Sequence, residues 1–127
     1  MTGRKYIGRK IAPKRITRPA RYRKYMKSRA WFDRRERWFE DEQQQRAVVV
    51  CAVGGSRWTL ADDLHHVTYE RLGQENHDDL VALCRFHHEQ LHQIWDASRA
   101  WRRLPRDTAA HGIIALLRTT SARCPDR

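Results

Sequence analysis

Histidine and cysteine side chains concentrate in the stretch LCRFHHEQLH, which runs from Leu83 to His92. It holds one cysteine and three histidines, and thiolate and imidazole are the preferred protein ligands of zinc and related divalent ions. Because His88 and His92 stand four residues apart, a helix would place both rings on one face, where they can bind a single ion. The spacing predicts a metal-binding helix.

A second pair of histidines, His65 and His66, ends a segment with the character of a strand, RWTLADDLHHVTY. Adjacent residues at a strand end point to opposite sides, so one ring can bind a metal while the other faces a substrate. A lone histidine is more often a surface or core residue. Four histidines at these spacings, beside Cys84 in a basic chain, indicate a functional site.

The elements that must position these residues begin with a predicted helix over residues 21 to 45, which contain neither glycine nor proline. An aromatic stripe follows the helix at intervals of seven residues, formed by Tyr25, Phe32 and Phe39 with Trp31 and Trp38 beside them. Core packing is the favoured interpretation of this stripe, ahead of stacking on nucleic-acid bases.

Shorter elements follow along the chain. AVVVCAV (residues 47 to 53) predicts a strand that ends at a turn, and LVALC (residues 80 to 84) predicts a buried strand before a helix over residues 85 to 98. Beyond Pro105, DTAAHGIIALLR predicts a last amphipathic helix capped by Asp107 or Thr108. The order of elements predicts an α+β domain.

Composition limits the function classes. The chain has 127 residues, enough for one domain with extensions, and 26 Lys and Arg against 15 Asp and Glu give a formal net charge of +11. Such a charge indicates a polyanionic partner, most often nucleic acid. The sequence has neither an apolar run long enough to cross a bilayer nor the pattern of a signal peptide, so we expect a cytoplasmic protein with no membrane partner. Three cysteines favour metal ligation over disulfides.

The first twenty residues form a predicted flexible arm that is strongly basic and contains Pro13 and Pro19. Two interpretations remain open for this arm. It is either a solvated tail or a segment that follows the phosphates of a nucleic acid.

Two motifs together resemble the HNH endonuclease family in its HH-x-x-Y form: LHHVTYERLGQE and the following DDLVALCRFHHEQLH. The upstream CAVGGS is similar to the C-x-x-C-G knuckle of such domains, and YRKYMKSRAWFDRRERWF is similar to the helix that precedes it. The resemblance covers about residues 22 to 95. It implies a ββα-metal core within residues 21 to 98, with a long N-terminal helix, and leaves residues 99 to 127 as a C-terminal helical extension.

The resemblance also implies roles for individual residues. The ligands of one divalent catalytic ion would be His65, His88 and His92. His66 would be the general base, and Asp79 takes the place of the middle Asn of the family name, whose side chain braces the loop that carries the base. Asn76 is a rival for that bracing role. His66, Asp79 and His88 are thus the predicted catalytic residues.

A structural zinc site is the second implication, with Cys51, Cys84 and His87 as its candidate ligands. Gly54 stands where the family pattern has a further cysteine, and glycine supplies no ligand. A fourth ligand would then be water, His77, His111 or Cys124. We expect an incomplete or weak zinc site that Gly54→Cys would improve.

The predicted function is hydrolysis of phosphodiester bonds in DNA. The cofactor would be Mg²⁺, Mn²⁺, Ni²⁺ or Zn²⁺, and a set of imidazole ligands suits the last three better than Mg²⁺. Two alternatives stay open: a non-catalytic nucleic-acid-binding module on a degenerate HNH scaffold, and a toxin-like or defence effector nuclease that depends on a protein partner. The biological role, whether in phage packaging, restriction or defence, stays open as well. A homo-oligomer is also compatible with the sequence.

Overall fold

Helices surround a small sheet in the protein, which is described by a computed structural model over residues 17–120 and 123–125. In chain order the elements are α1 (Arg18–Met26), α2 (Arg29–Gln45), β1 (Asp63–His66), a 3₁₀ turn (His77–Asp79), β2 (Leu80–Leu83), α3 (Arg85–Ala97), α4 (Arg99–Arg102) and α5 (Arg106–Thr120). The predicted α+β class is confirmed. In the described ranges, none of the helices has the length and apolar character needed to cross a membrane.

The leading helix differs from its prediction because it is divided into α1 and α2. Ser28 is the N-cap of α2, where its side chain accepts a hydrogen bond from the Trp31 backbone N at 3.2 Å. A serine cap can therefore end one helix and start another without any glycine or proline.

The start of α1 also differs from the expected boundary after residue 20. Thr17 caps α1 and Pro19 lies in its first turn, where a proline costs no intrahelical hydrogen bond. Residues 1–16 of the predicted arm lie outside the described residues.

The aromatic stripe packs into the core through four of its five members. Trp31 and Trp38 are each 3% exposed, and Tyr25 and Phe39 are partly buried against the same cluster. Phe32 is the exception, with 49% of its surface exposed. Core packing of the stripe is confirmed for all members except Phe32.

The sheet consists of β1 and β2, which pair antiparallel with His65 opposite Val81 and His66 opposite Leu80. The predicted strand over residues 47–53 is wrong. That segment makes only an isolated bridge between Val50 and Arg57, because it turns back at once. The turn is closed by a hydrogen bond from Cys51 N to Ser56 O.

Two apolar clusters form the interior. The first lies between α2 and the sheet and contains Trp31, Trp38, Val49, Trp58, Leu64, Leu80 and Ala82. The second lies between α3 and α5 and contains Cys51, Leu83, Cys84, Leu91, Ile113, Ile114 and Leu117. Residues of the C-terminal extension thus complete the core. Gly112 of α5 is part of this packing, because a Cβ there would lie 2.7 Å from the Trp101 ring.

Candidate metal centres

Three histidines converge where β1 meets α3. His65 Nδ1 lies 3.2 Å from His88 Nε2, and His92 Nε2 lies 3.1 Å from the same atom. His88 and His92 project from one face of α3, as their spacing predicted, and β1 presents His65 to them. The three residues form one of the two groups of ligand side chains, among the described residues, whose donor atoms lie close enough to hold one ion.

The spacing of these nitrogens fits a shared cation. Two imidazole nitrogens about 2.1 Å from one ion, at bond angles of about 90° to 109°, would lie about 3.0 to 3.4 Å apart. His88 Nδ1 donates to Asp63 Oδ2 at 2.9 Å, which leaves the lone pair on Nε2. That lone pair faces both other rings. One hydrogen bond cannot satisfy both contacts, whereas a shared cation can.

The electrostatics of the histidine cluster favour neutral rings at His65 and His92. Burial, and then the charges of His88 and Arg106, hold the pKa of His65 well below its usual range. Burial also lowers the pKa of His92. The hydrogen bond from His88 lowers the pKa of Asp63, which keeps this carboxylate ionised. Neutral imidazoles with an ionised carboxylate behind one of them are what divalent ions require of such a site.

Sequence reasoning missed Asp63. The pattern that could have found it is the two-residue spacing from His65, which places both side chains on the same face of β1.

His66 points to the other side of β1, as expected, and its side chain is almost fully buried. Its Nε2 lies 2.7 Å from Glu75 Oε2, and the Trp31 ring lies against it at a centroid distance of 4.7 Å. The other ring nitrogen, Nδ1, is buried without a hydrogen-bond partner in the described part of the chain. An orphaned nitrogen at this depth costs free energy unless a ligand or water satisfies it.

Glu75 determines which His66 nitrogen carries the proton. It accepts hydrogen bonds from His66 and from the Tyr25 hydroxyl (2.9 Å). Burial raises the pKa of Glu75, but hydrogen bonds from His66 and Tyr25 outweigh it, and the net direction is downward. An ionised carboxylate can only accept, so the proton of neutral His66 lies on Nε2 and the lone pair on Nδ1. Glu75 is the last residue of the motif LHHVTYERLGQE, but the sequence analysis did not assign it this role.

Asp79 braces the loop between β1 and β2. Its two carboxylate oxygens accept from Arg71 at 2.6 and 2.7 Å, and one of them also accepts from Asn76 N at 2.9 Å. Its carbonyl accepts from Val67 N, next to His66 in the chain. Hydrogen bonds from Arg71 lower the pKa of Asp79. Asp79 is buried and Asn76 is exposed, so the geometry favours Asp79 over its rival as the brace.

One cavity of about 470 Å³ joins the histidine cluster to His66. Its lining includes His65, His66, His88 and His92, the aromatic rings of Tyr22 and Tyr69, and three arginines, Arg35, Arg85 and Arg106. Cationic side chains and neutral imidazoles around one opening can accept an anion and a cation together.

The second ligand group is a cluster of three cysteines and one histidine: Cys51, Cys84, His87 and Cys124. The three sulfurs lie 3.7, 3.3 and 3.4 Å from His87 Nδ1, in the order Cys51, Cys84, Cys124. A tetrahedral zinc ion with Zn–S of about 2.3 Å and Zn–N of about 2.1 Å would separate sulfur from nitrogen by about 3.6 Å. The donor set and spacing fit zinc. Burial raises the pKa of the Cys84 thiol to about 12, so the thiol is protonated without a metal.

Gly54 is central to this cluster, and the expectation of an incomplete ligand set is wrong. A Cβ on Gly54 would lie 2.2 Å from the Cys124 sulfur and 2.7 Å from the Cys124 backbone N. The absent side chain leaves the space that Cys124 fills as fourth ligand. The expected improvement by Gly54→Cys is contradicted by the same overlap.

The other two candidates for fourth ligand lie elsewhere. His77 bonds to Glu42 and stacks on Trp38, while His111 is exposed on α5. The sequence alone could not choose among the three candidates, because Cys124 approaches Gly54 only after α5 has folded against α3.

No family model matches the chain, and neither a curated protein nor a solved structure matches it. The described residues form two ligand clusters that share α3, each able to hold a metal ion. A buried histidine–glutamate pair lies beside the histidine cluster.

Proposed function

We propose that the protein is a metal-dependent endonuclease of the HNH type, which hydrolyses phosphodiester bonds in DNA. The main support for the proposal is that His66, whose Nδ1 has no hydrogen-bond partner among the described residues, lines the same cavity as the three-histidine cluster. The succession β1, β2, α3 around these residues is what a ββα-metal core would require. The resemblance of HH-x-x-Y and C-x-x-H-H to the family supports the same assignment.

The chain's own residues divide the work of hydrolysis. His65, His88 and His92 would hold the divalent ion, and nitrogen ligands suit Mn²⁺, Ni²⁺ or Zn²⁺ better than Mg²⁺. The bound ion would supply positive charge that offsets the negative charge developing on the phosphoryl group and the leaving oxygen. Asp63 holds the His88 ring in the orientation and tautomer that a ligand needs.

His66 acts as the general base. Its Nδ1 lone pair takes the proton of the attacking water, and its Nε2–H remains bonded to Glu75. The imidazolium that forms is stabilised by the Glu75 carboxylate, as in other histidine–carboxylate pairs. Trp31 fixes the ring plane, and Asp79 holds the loop behind it. Each of these contacts keeps the base at a fixed distance from the cluster.

The Cys51–Cys84–His87–Cys124 cluster is assigned to a structural zinc ion. Among the described residues it has four candidate ligands, of which Cys51, Cys84 and His87 are buried and Cys124 is half-buried, so the protein alone can fill a tetrahedral shell. Closed four-ligand zinc sites contribute folding free energy, whereas catalytic sites keep an open position. The cluster would fasten the C-terminal tail to the start of α3.

DNA is the substrate class that the charge favours. The formal net charge of +11 and the arginines at the cavity match a polyanionic backbone. A nucleic-acid-binding module without catalysis would share this charge, but it would have no use for an oriented His66–Glu75 pair. A partner-dependent effector would share the chemistry and add a condition for activity.

The test is incubation of the purified protein with supercoiled plasmid and with Mg²⁺, Mn²⁺, Ni²⁺ or Zn²⁺ in turn. His66→Ala should reduce nicking by at least about 100-fold, because general base catalysis contributes about that much or more. Its metal content, measured by elemental analysis, should stay unchanged. His111→Ala is the matched control, since His111 is an exposed histidine on α5. Loss of metal in His66→Ala would make His66 a ligand, and absence of nicking with every ion would favour the binding module.

A further inference from the structure

Arg106 is the first residue of α5 and lies outside the segment that resembles the HNH family. Its guanidinium stacks over the Tyr69 ring at 4.0 Å from the centroid and near the Trp95 ring at 4.9 Å. Two aromatic faces thus hold the planar group in one orientation. The C-terminal extension thereby places a fixed cation at the wall of the histidine cavity.

The guanidinium is also tied to the backbone beside the proposed base. Its Nε and Nη2 donate to the carbonyl O of His66 at 3.3 and 3.1 Å. These hydrogen bonds and the aromatic stacking therefore hold the Arg106 side chain in one position at the site.

Arg106 differs from the other two arginines of the cavity. Arg85 lies 3.7 Å from the Asp63 carboxylate, and Arg35, whose guanidinium donates to the carbonyls of Leu60 and Asp62, is close enough to the Asp62 and Asp63 carboxylates for their charges to raise its pKa against the effect of burial. No carboxylate of the described residues forms an ion pair with Arg106. A partly buried cation without an anionic partner is unfavourable, and a bound anion would remove the cost.

The position of Arg106 is unfavourable for the histidine cluster as well. Arg106 lines the same cavity as His65 and His92, so its positive charge repels any cation held there. A bound group that is negative toward both the arginine and the ion would offset this repulsion.

Arg106 also lies where three cavities meet. The histidine cavity shares it with a second cavity of about 680 Å³ beside α1, whose lining includes Arg18, Arg21 and Tyr22. A third cavity, also lined by Arg106, contains Trp95 and Arg102. Each of the three cavities combines arginines and aromatic rings with one or two carboxylates, and Arg106 is the arginine common to all three. Arginines beside aromatic rings suit a nucleic-acid strand.

We propose that Arg106 is a substrate-binding residue that contacts a DNA backbone phosphate at the histidine cluster. The inference rests on the proposed function for the class of anion, a phosphodiester. The Nε–Nη2 edge of the guanidinium is used by the His66 carbonyl, and the opposite Nη1–Nη2 edge matches phosphate oxygens. The aromatic stack holds the plane of the group at the cavity wall.

The test measures DNA binding without cleavage. In a His66→Ala background, which keeps the backbone carbonyl that Arg106 contacts, Arg106→Gln is compared with Arg103→Gln. Arg103 is an exposed arginine of the same extension. Fluorescence anisotropy with a short DNA duplex should show affinity at least about tenfold weaker for Arg106→Gln, as expected for loss of one charged hydrogen bond. Its log–log salt slope should fall by about 0.9. The change for Arg103→Gln should be much smaller.

A second readout separates binding from a structural role. Removing the positive charge should tighten Ni²⁺ binding at the histidine cluster in Arg106→Gln, measured by calorimetric titration, and leave the melting temperature near that of the control. Unchanged DNA affinity would overturn the inference. So would weaker DNA binding together with weaker Ni²⁺ binding and a lower melting temperature. Because no cleavage is needed, the inference can stand even if the protein proves not to hydrolyse DNA.

Discussion

Two neighbouring residues of α3, His87 and His88, belong to ligand clusters of opposite character. His87 is fully buried and joins three cysteines in a set of four donors. His88 keeps a quarter of its side chain exposed and joins two histidines at the edge of a cavity. Successive residues of a helix point about 100° apart, so a single helix can serve both sites.

The surroundings of the two clusters show what each is suited for. The histidine cluster has three imidazole donors, an open side, an acidic residue behind one ring and a histidine–glutamate pair across the cavity. The cysteine cluster has four candidate donors, three of them buried, and backbone N–H groups directed at its sulfurs, including His87 N to the Cys84 sulfur. An open cluster with an adjacent base suits chemistry, and a closed one suits stability.

The C-terminal extension contributes to both clusters. It supplies Cys124 to the closed one and Arg106 to the cavity of the open one. Two described residues that the family resemblance did not cover, Arg106 and Cys124, therefore lie as close to the two clusters as the segment that it did cover.

The largest effect is expected when one ligand is removed from the cysteine cluster. Cys124→Ser should cost the protein its zinc at this site and lower its melting temperature substantially, because metal-binding free energy is part of folding free energy. Gly54→Cys alone should also destabilise the fold, since its Cβ would overlap the Cys124 sulfur. Nicking activity per folded molecule should change far less than stability.

The double variant Gly54→Cys with Cys124→Ala is the control. It moves the fourth ligand from the tail to the turn and removes the overlap with the Cys124 sulfur, and the φ angle of Gly54 is not positive. A Cβ at position 54 would still lie 2.7 Å from the backbone N of residue 124, so the recovery requires the tail to shift away from the turn. Zinc content and melting temperature with and without chelator should recover at least in part. If the two single variants keep their zinc and their melting temperature, the cluster is not a structural metal site.

Glu75→Gln tests the role of the histidine–glutamate pair, because it alters the partner of His66 and leaves the three histidine ligands unchanged. An amide can donate to His66 Nε2 and so shift the proton to Nδ1, where it blocks base catalysis. We expect kcat for nicking to fall by about 100-fold or more, while KM and the metal content of the histidine cluster change little. The comparison is Tyr25→Phe, which removes the other side-chain hydrogen bond to Glu75. Equal activity of Glu75→Gln and Tyr25→Phe would contradict the positioning role.

The sequence predicted those parts of the site that lie close together along the chain. Helix geometry predicted that His88 and His92 lie on one face, and strand geometry predicted that His65 and His66 point to opposite sides. Glu75, Arg106 and Cys124 were missed or left open, because tertiary packing alone brings them to the site. Asp63 was missed although its two-residue spacing from His65 places both side chains on one face of β1. The same holds for the fold: β2 and α3 follow from local pattern, but the serine cap at residue 28 divided a helix that propensity alone would continue.

The smallest expected effect concerns the brace beneath the open cluster. Asp79→Asn introduces the asparagine that the HNH family pattern has at this position. It keeps an acceptor for Asn76 N but loses the paired hydrogen bonds from Arg71. Asp78→Asn is the matched control, because Asp78 is an exposed carboxylate of the same 3₁₀ turn. Melting temperature at neutral pH should be slightly lower for Asp79→Asn than for the control.

The pH dependence of that difference follows from the direction of the Asp79 shift. Arg71 lowers the pKa of Asp79 in the folded protein, so the carboxylate contributes stability above its unfolded pKa of about 3.9 and loses it as the pH falls through the lower folded value. The gap between the two variants should therefore be constant from neutral pH down to about pH 5 and close below about pH 4. A gap that persists in acid would mean that Asp79 braces the loop by shape and backbone contacts, with no contribution from its charge.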